Sequence, residues 1–178
     1  MSKIRKLLNT KKILISDGAW GTFLHAKGLK QGECPEEWNL TKPEAVFEIA
    51  KSYIDAGSDL IETNSFGGSR IKLSDFGLED QTYEINKASA EISKKAAGEG
   101  KIVLGSIGPT GKFLMMGEVT EDELYDVYKE QAKALEEGGA DAIVLETFTD
   151  IEELKIALKA VKENTDCESA CTMTFDKL

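Results

Sequence analysis

Short apolar runs alternate with longer amphipathic ones along the whole chain, and that alternation leaves few folds open. Ile13-Leu14-Ile15, Leu60-Ile61-Glu62-Thr63, Ile102-Val103-Leu104, Ala142-Ile143-Val144-Leu145 and Ser169 to Phe175 read as five strands. Four helices are expected between them. The first starts at Thr41-Lys42-Pro43-Glu44, where Thr as N-cap, Pro in the first turn and Glu three residues on would satisfy free amides and preset φ. It ends at Ala56-Gly57, where glycine can turn left-handed. Gln81 to Ala97 carries Ile85, Ala88, Ile92 and Ala96 three or four apart, the spacing of one buried stripe. Thr120-Glu121-Asp122-Glu123 opens the third helix with a capping box, and Gly138-Gly139 closes it. Thr149-Asp150-Ile151-Glu152 caps the fourth, which runs towards Asn164.

The repeating unit is about 40 residues, and strict βα alternation gives a parallel sheet with right-handed crossovers. There is an internal echo. Gly57-Ser58-Asp59-Leu60-Ile61-Glu62-Thr63 resembles Gly139-Ala140-Asp141-Ala142-Ile143-Val144-Leu145-Glu146-Thr147, two βα units later. The later copy is longer by an even number of residues, so the strand keeps its facing. The first βα turn, Asp17-Gly18-Ala19-Trp20-Gly21-Thr22, is not the glycine fingerprint of a dinucleotide fold. Polar residues at strand ends (Asp17, Glu62, Asn64, Ser106, Glu146) instead suit the mouth of a barrel, where the βα loops carry chemistry. The expected fold is therefore α/β, a TIM-type (β/α)8 barrel present as about its first five strands and four helices, with residues 1–178 forming one domain; a complete barrel takes roughly 200–250 residues.

Composition narrows the function. The net charge is −10 and no Lys/Arg run makes a basic patch, which argues against nucleic acid as a partner. Hydrophobic residues at 41% and charged residues at 30% argue against disorder. No apolar run approaches a membrane span, and the charged start Met1-Ser2-Lys3-Ile4-Arg5-Lys6 is not a secretion leader. The three cysteines, Cys34, Cys167 and Cys171, are an odd count that fits free thiols in a reducing, cytoplasmic setting.

Strand parity singles out two carboxylates. Ile13, Ile15 and Asp17 share one face, as do Ala142, Val144 and Glu146. If both faces point inward, Asp17 and Glu146 stand at one mouth, able to hold an ammonium group, bind a metal, or act as acid and base. Alternatively each caps a loop by accepting backbone N–H bonds. The glycine-rich run Gly105 to Gly111 could present amides to an anion, or could be a tight turn. Cys167-x-x-x-Cys171 lacks the C-x-x-C spacing and a nearby His, so ordinary thiols are expected over a metal site. His25, the sole histidine, reads as incidental. Trp20, Trp38 and Phe66 could wall a pocket or plug the mouth.

Taken together, Asp17 to Thr22, Glu62-Thr63-Asn64-Ser65-Phe66-Gly67, Gly105 to Gly111 and Glu146-Thr147-Phe148-Thr149-Asp150 resemble, in order and spacing, the motifs of the homocysteine S-methyltransferase family. Within it the chain is most similar to the N-terminal homocysteine-binding module of cobalamin-dependent methionine synthase. The resemblance implies a (β/α)8 barrel that moves a methyl group onto the zinc-activated thiol of homocysteine, with methylcobalamin on a corrinoid-binding partner module as donor; S-methylmethionine and betaine are donors elsewhere in the family. It further implies that Asp17 and Glu146 hold the substrate ammonium, that the N–H groups of Gly18 and Ala19 face its carboxylate, and that Thr22, Asn64 and Ser106 complete the pocket. The family's zinc-binding cysteines lie in an Asn-Cys and a Gly-Gly-Cys-Cys motif, and neither occurs here. The expectation is a chain that carries the amino-acid-binding half of the site, holds no zinc and does not turn over alone. The other reading is a non-catalytic half-barrel whose open edge is covered by another copy or chain.

Overall fold

The computed structural model describes residues 3–175; Met1 and Ser2, part of the argument against a leader, lie outside it. The elements run α1 (Lys3–Lys11), α2 (Gly21–Ala26), α3 (Trp38–Thr41), α4 (Pro43–Asp55), β1 (Leu60–Glu62), α5 (Arg70–Ser74), α6 (Thr82–Ala97), β2 (Ile102–Ile107), α7 (Glu121–Glu137), β3 (Ala142–Phe148), α8 (Ile151–Asn164) and β4 (Glu168–Met173). The four strands pair in chain order, and every pairing is parallel. The alternation therefore reads correctly as successive βα units.

The first expected strand is a correction. Residues 13–15 form no strand; a single bridge joins Ser16 to Leu60. Two bonds carry it, from Leu60 N–H to the Ile15 carbonyl at 3.1 Å and from Asp17 N–H to the Leu60 carbonyl at 3.2 Å. The segment pairs on one side only. Its apolar residues Ile13 and Ile15 are 75% and 60% exposed, so burial adds little to hold it extended. At the far side of the sheet, residues 169–172 of β4 are exposed too. Among the described residues the sheet is thus an open arc with two uncovered edges.

The outer face of the arc carries the core. Ile61, Val103, Ile107, Ile143 and Leu145 are fully buried against helix residues that include Ala90, Leu124, Leu135, Ala157 and Val161. Helix α7 begins with the expected capping box: the Thr120 hydroxyl accepts from Glu123 N–H at 3.2 Å while Glu123 accepts from Thr120 N–H at 2.8 Å. Asp150 caps α8 by accepting from Glu152 N–H at 2.8 Å. The Thr41 cap is a second correction. Residues 38–41 form their own helical turn, Lys42 is the N-cap of α4, and the Thr41 hydroxyl donates back to the Glu37 carbonyl. Pro43 disfavours helical geometry at Lys42, which separates the two helices.

The echo has a structural cause. Asp59 and Asp141 stand where β1 and β3 begin, and each reaches a backbone N–H of the neighbouring segment, Ile15 at 3.3 Å and Val103 at 3.0 Å. Lys11 and Lys3, from the two ends of α1, pair with these same aspartates. Helix α1, which the alternation did not predict, is thus strapped across the bottom of the arc. No helix among the described residues is long and apolar enough to cross a membrane.

Candidate functional site

Parallel strands put all their C-terminal ends at one rim, and the side chains that face inward there are fixed by period-two alternation. Glu62 ends β1, Ser106 lies near the end of β2, and Glu146 lies near the end of β3. Beneath the loops that follow is a cavity of about 430 Å³. Glu62, Ser106 and Glu146 form its floor; Gly18, Ala19 and Trp20 come from the first loop, and Asn64, Ser65 and Phe66 from the second. Pro35 and Glu36 complete the wall.

Of the residues expected at the site, Gly18, Ala19, Asn64, Ser106 and Glu146 line this cavity. Thr22 does not; it is exposed on α2. Asp17 does not line it either. Its carboxylate holds the wall from behind, accepting from Trp20 Nε1 at 2.9 Å, Glu62 N–H at 3.0 Å and Ser16 Oγ at 3.0 Å. Burial raises its pKa, and the bonds from Trp20 and Glu62 oppose that rise. The loop-capping alternative therefore describes Asp17 well. Asn64 lines the cavity while its amide donates to the Pro35 carbonyl at 2.8 Å, fastening the second loop to the segment before α3.

The N–H groups of Gly18 and Ala19 meet no acceptor among the described residues, whereas the Ala19 carbonyl is held by Tyr53 Oη at 2.9 Å. Two free amides beside a cavity suit a carboxylate. On the floor, Glu146 accepts from Ser106 Oγ at 2.5 Å. Glu62, one of the polar residues expected at the mouth but given no role there by the sequence, lines the cavity together with Glu146. Burial first, then the charges of Glu146 and Asp17, push its carboxyl up to about 8. The echo was the signal that could have found it, because Glu62-Thr63 and Glu146-Thr147 occupy matching places in the two copies.

The two copies differ in backbone. Thr147 has φ +64°, and the β3–β4 register shifts between Leu145 and Phe148. A β-branched residue at positive φ is strained. The bulge is held by Thr172 Oγ1, which accepts from Thr147 N–H at 3.1 Å, and by Phe148, fully buried with its ring 6.0 Å from that of Tyr128. Glu146 stays inward while Phe148 turns to the core. Thr147→Asn, which tolerates this conformation better, is expected to stabilise the fold by about 1 kcal/mol. A urea midpoint that falls instead would mean Thr147 makes a contact that Asn cannot replace.

The remaining sequence candidates resolve as structure. The glycine-rich loop does not offer its amides freely: Gly108 N–H donates to the Phe66 carbonyl at 3.0 Å and Thr110 N–H to Glu153 at 2.8 Å. A Cβ on Gly108 would sit 2.6 Å from the Phe66 ring, so glycine is there to let that ring approach the loop. His25 Nδ1 bonds the Leu29 carbonyl at 2.7 Å. Burial, then nearby Glu36, pushes the Cys34 thiol up to about 12; burial, then Glu136, does the same for Cys167. Both are poor nucleophiles and poor metal ligands in that state. Among the described residues, no group of three or more His, Cys, Asp or Glu side chains could hold a metal ion.

Comparison with known proteins bears on this geometry. The model of the homocysteine S-methyltransferase family matches residues 14–178. The methionine synthase of Mycobacterium tuberculosis (strain ATCC 25618 / H37Rv) is 33% identical over 161 residues, covering 84% of this chain and 14% of its own length. That of Mycobacterium leprae (strain TN) is 32% identical over 160 residues, covering 83% and 13%. The chain thus spans about one seventh of these relatives. The oxidized form of the homocysteine methyltransferase MmuM from Escherichia coli superimposes with a TM-score of 0.83 at 24% identity, over 95% of this chain and 64% of that one. Its metallated form gives 0.83 over 94% and 65%. The arc is accordingly a partial homocysteine methyltransferase barrel fold.

Proposed function

The chain belongs to the homocysteine S-methyltransferase family, and on that premise we propose that its cavity grips the amino-acid end of homocysteine in a protein that methylates the homocysteine sulfur. The observation that carries the reading is the pairing of opposite chemistries across one cavity. Acidic side chains stand on its floor and free amides on the rim of its first loop, the complement of a zwitterion. In this reading Glu146 takes the ammonium, the N–H groups of Gly18 and Ala19 take the carboxylate, and Ser106 holds Glu146 at the right angle. Trp20, Leu24 and Phe66 supply apolar wall for the side chain. Asp17 acts through Trp20 and β1, which it ties together.

The likeness to methionine synthases supports methylcobalamin on a corrinoid-binding module as methyl donor. The residues described here do not fit the zinc that activates the thiol in this family, because two of the three thiols are held protonated and no donor set converges. The work of this chain is binding and orientation, and no chemical step at sulfur is assigned to it.

Calorimetric titration of the chain with homocysteine and with 4-mercaptobutanoate, which lacks the amino group, tests the reading. Homocysteine should bind more tightly. Glu146→Gln should weaken homocysteine by about 1–3 kcal/mol, the value of a hydrogen bond to a charged group, and leave 4-mercaptobutanoate unchanged. Equal affinity for the two ligands, or no binding of homocysteine, would sink the assignment.

A further inference from the structure

We propose that Glu62 is a ligand-binding carboxylate, paired with Glu146 across the cavity floor, and that an arriving ammonium group displaces a proton from it. The proposal rests on the amino-acid reading of the site and adds a residue and a proton to it. Three observations carry it. Glu62 lines the cavity, whereas Asp17 does not. The Asp17 oxygens are already engaged by Trp20, Glu62 N–H and Ser16, so turning Asp17 to a ligand would release both the Trp20 wall and the end of β1. The Glu62 carboxylate, by contrast, meets no donor among the described residues, although its backbone is clamped on both sides. Its N–H donates to Asp17 at 3.0 Å, and its carbonyl accepts from Ser93 Oγ of α6 at 3.0 Å. A fixed backbone with an unengaged acid head is the arrangement of a binding group.

The charges around Glu62 determine its state. Asp17 faces it from the first segment, Glu146 from β3, and Glu36 lies in the same cavity wall with its oxygens taken by Gly67 N–H and Cys34 Sγ. No Lys, Arg or His among the described residues lines the cavity. A half-buried acid beside other carboxylates, with no cation near, keeps its proton at neutral pH, in accord with its rise to about 8. An ammonium group supplies the missing cation. The step balances: the protonated Glu62 carboxyl gives up its one proton to the buffer, and the carboxylate left behind pairs with the ligand ammonium, which keeps all of its own protons. No covalent bond to the ligand forms or breaks, and no oxidation state changes.

Linkage then sets the sign. Binding releases a proton, so affinity rises with pH while Glu62 is protonated in the free chain and levels off above its free-state pKa. The experiment is calorimetry of the full chain with homocysteine and with methionine, whose thioether has no proton to lose, at pH 7 in phosphate and in Tris. The dependence on buffer ionisation enthalpy counts protons. The unmutated chain should release close to one proton per ligand, and its affinity for methionine should rise about fivefold between pH 7 and 8. Glu62→Gln should release none and bind with no rise over that range, while Glu152→Gln, at an exposed position outside the cavity, should keep the release. A zero count in the unmutated chain, or a count that survives Glu62→Gln, overturns the proposal and leaves the amino-acid reading standing. Failure of both ligands to bind the unmutated chain overturns that reading and this proposal with it.

Discussion

Glu153→Ala is expected to destabilise the chain by about 3–5 kcal/mol, a large part of the stability of a domain this size. Glu153 is 4% exposed, in the first turn of α8. One oxygen, Oε1, accepts from Thr110 N–H at 2.8 Å, Thr110 Oγ1 at 2.6 Å and Tyr128 Oη at 2.7 Å. A carboxylate there is favoured by the positive end of α8. Alanine leaves three buried donors with no acceptor, and each unmet group costs roughly 1–3 kcal/mol before relaxation. Glu153→Gln keeps an acceptor and should cost clearly less, and Glu152→Ala, at an exposed neighbour, should cost little. Urea denaturation with midpoint and slope both read gives the comparison. A Glu153→Ala midpoint within the error of the parent would show that water satisfies the Thr110 loop. The consequence for the site is direct, because that loop begins after Ser106 and carries Gly108 beneath Phe66.

What the sequence made legible was whatever depends on local pattern. The apolar stripe of α6, the capping box at Thr120 and the cap at Asp150 each report a choice the chain makes within one or two turns, and the structure shows each of them. The barrel mouth followed from parity, since a strand's facing is a property of its own residues. Three things were not local. Whether residues 13–15 form a strand depends on neighbours across the sheet, and Ile13 and Ile15 remain exposed there. Helix α1 has no buried residues; it is held by Lys3 and Lys11, whose partners are 138 and 48 residues away. The division of labour among the acids was also hidden. Parity placed Asp17 at the mouth, but Ser16 is the residue that pairs with Leu60, and the Asp17 carboxylate is held by Trp20 Nε1 and Glu62 N–H instead of lining the cavity, a pairing that only the fold determines. Glu62 holds in the first copy of the echo the place that Glu146 holds in the second, a relation that lies within the chain itself.

The glycines that end α7 give the second large effect, and they separate two reasons for glycine that a sequence cannot distinguish. Gly139 has φ +101°, so alanine there is strained by conformation, at about 1 kcal/mol. Gly138 has φ −71°, which any residue adopts. Its constraint is space. A Cβ on Gly138 would stand 2.3 Å from the Lys87 carbonyl oxygen and 2.7 Å from Ala90 Cβ, both on α6. The first of these is backbone within a helix and cannot swing aside, so α6 and α7 would have to part. Gly138→Ala is therefore expected to cost about 2–3 kcal/mol, the upper range for overpacking and more than Gly139→Ala. The displacement would also reach the site, since Ser93 on α6 holds the Glu62 carbonyl. Thermal unfolding of the two variants side by side decides the matter. For a chain of this length each kcal/mol moves the midpoint by roughly 2–4 °C, so Gly138→Ala should melt clearly below Gly139→Ala. The reverse order would mean that the helices yield more easily than the turn, and that their contact is not what fixes the end of β1.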